Sequence, residues 1–294
     1  MSRRSHLLII DPQRSFCANV DSAKQQIEHD GELCVPGAWD DMVRVGNMIR
    51  RLGRKIDAIS VTLDSHQQLH IAHPIWWKDM SGKNPSPFTL LREDKSKVVG
   101  YIYDPSGNQQ DVGEYLPAIP RSDVMDWSIN YLKSLASGKR YPHCIWPVHC
   151  LIGTRGHNVV EPLMDALLEW SRLTFRTINF VTKGSNPFVE HFSAVRAEVE
   201  YPGDPSTQIN SAFIGTIADY DDILWAGEAL SHCLANAAQD VVASFPEPEK
   251  FISKCILLID GTSNVPSFES LGTKFLDSMK KLGLRIMTTT EYLK

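Results

Sequence analysis

Short, wholly apolar runs alternate along this chain with segments whose apolar residues recur at helical spacing. The pattern restricts the fold to repeated βα units around a mainly parallel sheet, because a strand buried on both faces reads as a continuous apolar run. Leu7-Leu8-Ile9-Ile10 and Ile256-Leu257-Leu258-Ile259 are strand-sized, far below the roughly 18 residues that span a bilayer. Candidate strands are His6 to Ile10, Ala58 to Leu63, Ile178 to Thr182, Ile223 to Ala226, Cys255 to Ile259 and Leu284 to Met287. Between them run three helical stripes: Met42, Val45, Ile49 and Leu52; Val160, Leu163, Leu167 and Trp170; and Phe268, Leu271, Phe275 and Met279. They read as core faces with no chemical role. The expected fold is α/β, a mainly parallel sheet of roughly six strands with helices on both faces.

The span from Pro74 to Tyr141 breaks the alternation. It carries Pro85-Ser86-Pro87, a charged stretch from Arg92 to Lys97, a turn at Asp104-Pro105-Ser106-Gly107-Asn108, and an expected helix from Asp123 to Ser137 with Val124, Trp127, Tyr131 and Leu135 on one face. Large aromatics on a helix need a packing partner, so residues 74–141 read as a structured insertion near an active-site rim. A length of 294 residues alone suggests two domains. The reactive residues discussed next nevertheless run from Asp11 to Cys233, and the last two strands finish the same sheet. A single domain over residues 1–294, with that insertion, is therefore expected.

Lys plus Arg is 30 against 35 for Asp plus Glu, a net charge of −5. No basic surplus exists to neutralise a phosphate backbone, and neither nucleic acid nor membrane is expected as a partner. Cys17, Cys34, Cys144, Cys150, Cys233 and Cys255 contain no Cys-x-x-Cys and read as reduced thiols. The amino terminus has two arginines but only a four-residue apolar run before Asp11, unlike a secretory signal. A cytoplasmic setting is expected.

In an open parallel sheet, ligands bind beyond the carboxyl ends of the strands. Asp11 follows the first candidate strand, Asp64 the second and Lys183 the third, and Cys233 opens a helix expected over Leu234 to Val242 after the fourth. A thiol at a helix amino terminus near a lysine has its thiolate stabilised. Taken singly, Cys233 also fits a small buried apolar residue, Asp11 a strand-end cap and Lys183 a solvated charge. Together they supply a nucleophile, a proton acceptor and a cation for developing negative charge, as acyl transfer requires.

A second constellation is Asp64-Ser65-His66, followed by His70 and His73 and much later by His143 and His149. A carboxylate and an imidazole two residues apart can converge on one cation, and O/N ligation suits zinc, iron or manganese. Surface polar residues are the alternative reading. His143-Cys144 with His149-Cys150 lacks the usual spacing of a structural zinc site. Asp11-Pro12-Gln13 after the first strand likewise lacks the G-x-G-x-x-G of a dinucleotide-binding loop.

Five blocks then stand in order: Ile9-Ile10-Asp11-Pro12-Gln13-Arg14-Ser15-Phe16; Thr62-Leu63-Asp64-Ser65-His66; Trp146-Pro147-Val148-His149-Cys150 with Gly153-Thr154 and Gly156; Thr182-Lys183-Gly184 with Phe192-Ser193-Ala194; and Ala229 with His232-Cys233. They resemble the nicotinamidases of the isochorismatase-like cysteine hydrolases, over most of the chain outside the insertion. The resemblance implies a catalytic triad of Asp11, Lys183 and Cys233, and an oxyanion hole from the amides of Ala229 and Cys233. It also implies a metal, zinc first with iron or manganese as alternatives, held by Asp64, His66 and His149. Phe16 and Trp146 would hold the substrate ring, Phe192 and His232 would border it, and the Glu228–Ala229 bond would be cis.

His232 and Phe192 stand where tyrosine is common in that family, and the insertion lengthens the span between His66 and His149. These departures bear on the substrate more than on the chemistry. The resemblance thus implies a metal-assisted amidase that converts nicotinamide, or a related amide such as pyrazinamide, to its acid and ammonia through a thioester. A metal-free isochorismatase-like or ureido/carbamoyl hydrolase, and a non-catalytic interaction module, are the competing readings. The expected partner is a small-molecule amide, with homo-oligomer formation left open.

Overall fold

Ser5–Ile10 is buried along its whole length and forms the third of six parallel strands. The computed structural model describes residues 3–17, 19–21, 26–29, 31–138 and 141–294. Positions 139 and 140 of the expected insertion lie outside the described residues. Across the sheet the strands run Asn179–Lys183, Ala58–Asp64, Ser5–Ile10, Asp222–Gly227, Cys255–Leu258 and Arg285–Met287. Counted along the chain, that order is 3-2-1-4-5-6, which puts a topological switch point between the first and fourth strands. All six expected strands form, each end within one residue of its expected place.

Two groups of helices flank the sheet. Ala38–Leu52 packs on Glu161–Thr174, while Cys233–Ala243, Pro248–Ile252 and Glu269–Leu282 pack in succession. Met42, Val45, Ile49 and Leu52 are buried, as are Val160, Leu163, Leu167 and Trp170. Covering such side chains contributes roughly 1.5–3 kcal/mol each before entropy is counted. Asp40 and Asp41 open the first of these helices and Arg50 and Arg51 close it, matching its dipole. The third stripe differs from expectation. Phe275 and Met279 are buried, but Phe268 and Leu271 are only partly covered and line a surface chamber described below.

The span after residue 74 builds a second, antiparallel sheet in the order Trp77–Asp79, Gln109–Pro117, Lys97–Tyr103, Leu90–Asp94 and His143–Cys144. The charged Arg92 to Lys97 stretch is the tip of a hairpin in which Asp94 pairs with Lys97. Ser122–Gly138 is the expected helix, with Val124, Tyr131 and Leu135 buried and Trp127 donating through Nε1 to the Phe188 carbonyl at 2.8 Å. The core beneath this sheet also takes in Ile71, Val189 and Ala197 from outside the span. No helix among the described residues is long and apolar enough to cross a membrane.

Candidate active site

Register decides what meets at the carboxyl end of the sheet. Lys183 pairs opposite Asp64, and Ile10, just before Asp11, pairs opposite Gly227, just before the Glu228–Cys233 loop. The four neighbouring strands thus deliver Lys183, Asp64, Asp11 and Cys233 side by side. Lys183 Nζ lies 2.9 Å from Asp11 Oδ2, 3.1 Å from Asp64 Oδ1 and 3.7 Å from Cys233 Sγ, and donates to the His191 carbonyl at 3.0 Å. Thr62 Oγ1 donates to Asp11 Oδ1 at 2.6 Å and accepts from the Asp11 amide at 3.0 Å. The Gln13 side chain donates to the Asp64 carbonyl and accepts from its amide, both at 2.7 Å. Cys233 is the first residue of its helix, and the preceding Glu228–Ala229 peptide is cis.

Burial governs the protons. It opposes the charge on Lys183, yet Asp11 and Asp64 hold the ammonium well above its ordinary value. Burial pushes the Cys233 thiol well up despite Lys183, and raises Asp11 against the same ammonium. The helix terminus and lysine therefore do not leave a free thiolate at rest, because desolvation outweighs them. The negative charge of Asp11 adds to that upward push on the thiol.

The histidine cluster lies on the other side of Asp64. Oδ2 of Asp64 is 2.9 Å from His66 Nε2 and 3.3 Å from His149 Nε2. Each ring is anchored through Nδ1, His66 on the Gly184 carbonyl at 3.2 Å and His149 on the Pro147 carbonyl at 2.8 Å. With Nδ1 set against these carbonyls, each ring aims its Nε2 at the same carboxylate oxygen, a convergence of N and O donors that suits a shared cation. His73 has the same arrangement, Nδ1 on the Gln68 carbonyl at 3.2 Å and a buried Nε2 without a partner. One nitrogen from each of His66, His73 and His149 lies within 4.8 Å of the others. The His70 ring packs at a tilt against His66, but its Nδ1 accepts from the Ala72 amide, which places its hydrogen on Nε2. The donor set therefore fits a divalent metal, with His73 added to the expected Asp64, His66 and His149.

Phe16, Trp146, Phe192 and His232 all line a small recess whose other walls include Asp64, His149, Ala229 and Cys233. The structure thus brings every expected site residue either to this recess or to the cluster beneath it. Glu190, buried on the same wall, was not anticipated, since it sits in irregular chain with no flanking pattern. Gln13 and Thr62 stand inside quoted motifs, but their hold on Asp64 and Asp11 emerges only from strand pairing.

No protein-family model matches the sequence, and no curated protein matches it. Solved structures do. A nicotinamidase/pyrazinamidase from Acinetobacter baumanii superimposes with a TM-score of 0.59 at 17% identity, covering 100% of both chains. The yeast nicotinamidase bound to the inhibitor nicotinaldehyde gives 0.58 at 17%, covering 97% of this chain and 99% of that one. A pyrazinamidase from Pyrococcus horikoshii in complex with zinc gives 0.51 at 17%, covering 97% and 99%. The chain therefore has the α/β fold of the nicotinamidases and pyrazinamidases.

Proposed function

We propose that the protein is an amidohydrolase that hydrolyses a heteroaromatic primary carboxamide of the nicotinamide type. The observation that carries this reading is the buried cluster of Asp11, Lys183 and Cys233, of which Cys233 lines a recess walled by aromatic rings and by Asp64 and His149. Asp11 takes the Cys233 proton as sulfur attacks the carboxamide carbon, forming the C–S bond. The amides of Ala229 and Cys233 receive the oxyanion, and the Lys183 ammonium keeps the developing charge balanced. Asp11 returns its proton to the nitrogen, the C–N bond breaks and ammonia leaves. Asp11 then accepts a proton from water, hydroxide adds to the thioester, and breakage of the C–S bond releases the acid and restores the thiol.

A divalent cation held by Asp64, His66 and His149, with His73 beside them, would supply a Lewis-acidic contact for the ring nitrogen. Zinc suits this N/O set best, and iron and manganese also fit. Phe16 lies edge-on to His149 with ring centroids 5.5 Å apart, and Trp146 and Phe192 complete the aromatic wall. The test is ammonia release from nicotinamide and pyrazinamide by purified protein, with Cys233→Ala alongside. The expected result is turnover by the unaltered protein only, at equal metal content; turnover by Cys233→Ala overturns the reading.

A further inference from the structure

The recess at Cys233 has a cavity volume of only about 30 Å³, room for roughly one water. Trp146, Phe192 and His232 wall it and also border a second chamber of about 730 Å³. That volume lies within the roughly 300–1,000 Å³ of pockets that hold drug-sized ligands. The far walls come from two parts of the chain. Ile102 and Tyr103 face in from the inserted sheet, Phe88 from the turn before its strand Leu90–Asp94, and Leu271 from the start of the helix Glu269–Leu282. Phe88, Ile102 and Tyr103 are 45%, 39% and 58% exposed and give the chamber an apolar lining. The ring of a single-ring amide engaged at Cys233 must reach past that recess, and it would still leave most of this chamber unfilled.

We infer that the outer chamber is an acyl-side subsite, and that the substrate is a primary heteroaromatic carboxamide whose ring carries a second, apolar, ring-sized group. The inference rests on the amidase reading for its direction. Asp11, which protonates the leaving nitrogen, is 0% exposed, and neither it nor Lys183 lines either cavity. The amine side is therefore closed and has no room for a substituent, whereas the acyl side meets the shared aromatic wall. Centroids of Trp146, Phe192 and His232 lie 5.2 to 6.3 Å apart. Ring faces and edges on that wall offer an aromatic group offset or edge-to-face contacts, which favours it over a branched aliphatic one. Lys274 on the chamber wall disfavours a cationic substituent.

The experiment measures binding to Cys233→Ala by calorimetry, with nicotinamide, nicotinamides bearing phenyl on a ring carbon, and N-phenylnicotinamide as probes. A ring-phenyl compound is expected to bind at least about tenfold tighter than nicotinamide, with no gain for the N-phenyl compound. Ser270→Trp and Ile102→Trp, which fill the chamber from opposite walls, should each cancel the gain. No ring-phenyl compound binding tighter than nicotinamide, or a gain that survives both fillings, overturns the inference. Ammonia release by the unaltered protein is read in parallel. Turnover without a binding gain overturns the subsite alone, while a binding gain without turnover supports the subsite and overturns the amidase chemistry.

Discussion

Lys183 Nζ lies 3.1 Å from Asp64 Oδ1, and this contact joins the cysteine cluster to the histidine cluster. Asp11 and Asp64 are both buried and share that ammonium, and Asp64 also faces His66 and His149 while Asp11 has Lys183 as its one cation among the described ion pairs. Lys183→Met should leave the buried Asp11 carboxylate without its cation and next to Asp64, at a cost of about 3–5 kcal/mol. Ammonia release should vanish with it. Adding Asp11→Asn should restore part of the stability and none of the activity. Urea unfolding of the two variants checks this, and an unchanged midpoint for Lys183→Met would contradict the placement of the charge.

The Nδ1 anchors on His66, His73 and His149 predict a metal-dependent fold stability. A metal that binds only the folded chain stabilises it by about 2.7 kcal/mol at a hundredfold excess over its dissociation constant. Chelation should therefore lower the melting temperature, and added zinc should restore it. His66→Ala and His149→Ala should lose metal by elemental analysis, His73→Ala should bind it more weakly, and Cys233→Ala should keep it. Equal metal content in all four variants would sink the assignment.

The main sheet was readable because its central strands are buried on both faces, so Leu7-Leu8-Ile9-Ile10 carries no competing pattern. The inserted sheet was not. Gln109–Pro117 is exposed over most of its length, and its sequence offers little apolar alternation to find. The reactive residues were readable for a related reason, since strand ends mark the site in an open parallel sheet. Glu190 and the grip of Gln13 on Asp64 depend on contacts between distant segments, and no spacing within either segment encodes them.

Acid should unfold the protein through its buried histidines. Burial lowers His6 and His143 to about 4 from the usual 6.5. Both are neutral in the folded chain while their unfolded counterparts take up protons below about pH 6.5. The unfolded state then binds more protons, so stability is complete above that pH and falls as pH drops toward 4, by up to about 3 kcal/mol per group. His143→Gln should flatten the stability profile in this window by about one proton. Urea midpoints between pH 7 and pH 4 measure it, and a slope unchanged from the parent would refute the assignment.

Gly227 fixes the distance between the proton acceptor and the nucleophile loop. Its φ is +108°, and a Cβ there would stand 2.0 Å from the Ile10 carbonyl oxygen and 2.4 Å from the Ile10 nitrogen. Ile10 precedes Asp11, and its carbonyl accepts from the Glu228 amide at 2.7 Å. Gly227→Ala must therefore push the first and fourth strands apart where Asp11 meets the Ala229–Cys233 loop. Overpacking and backbone strain together should cost at least about 3 kcal/mol. A displacement of about 1 Å in reacting groups can lower turnover by roughly a hundredfold. The expected outcome is a variant still folded in the cold by circular dichroism, with kcat reduced on that scale and KM for nicotinamide changed far less. A parent-like kcat in the folded variant would show that the site tolerates the shift.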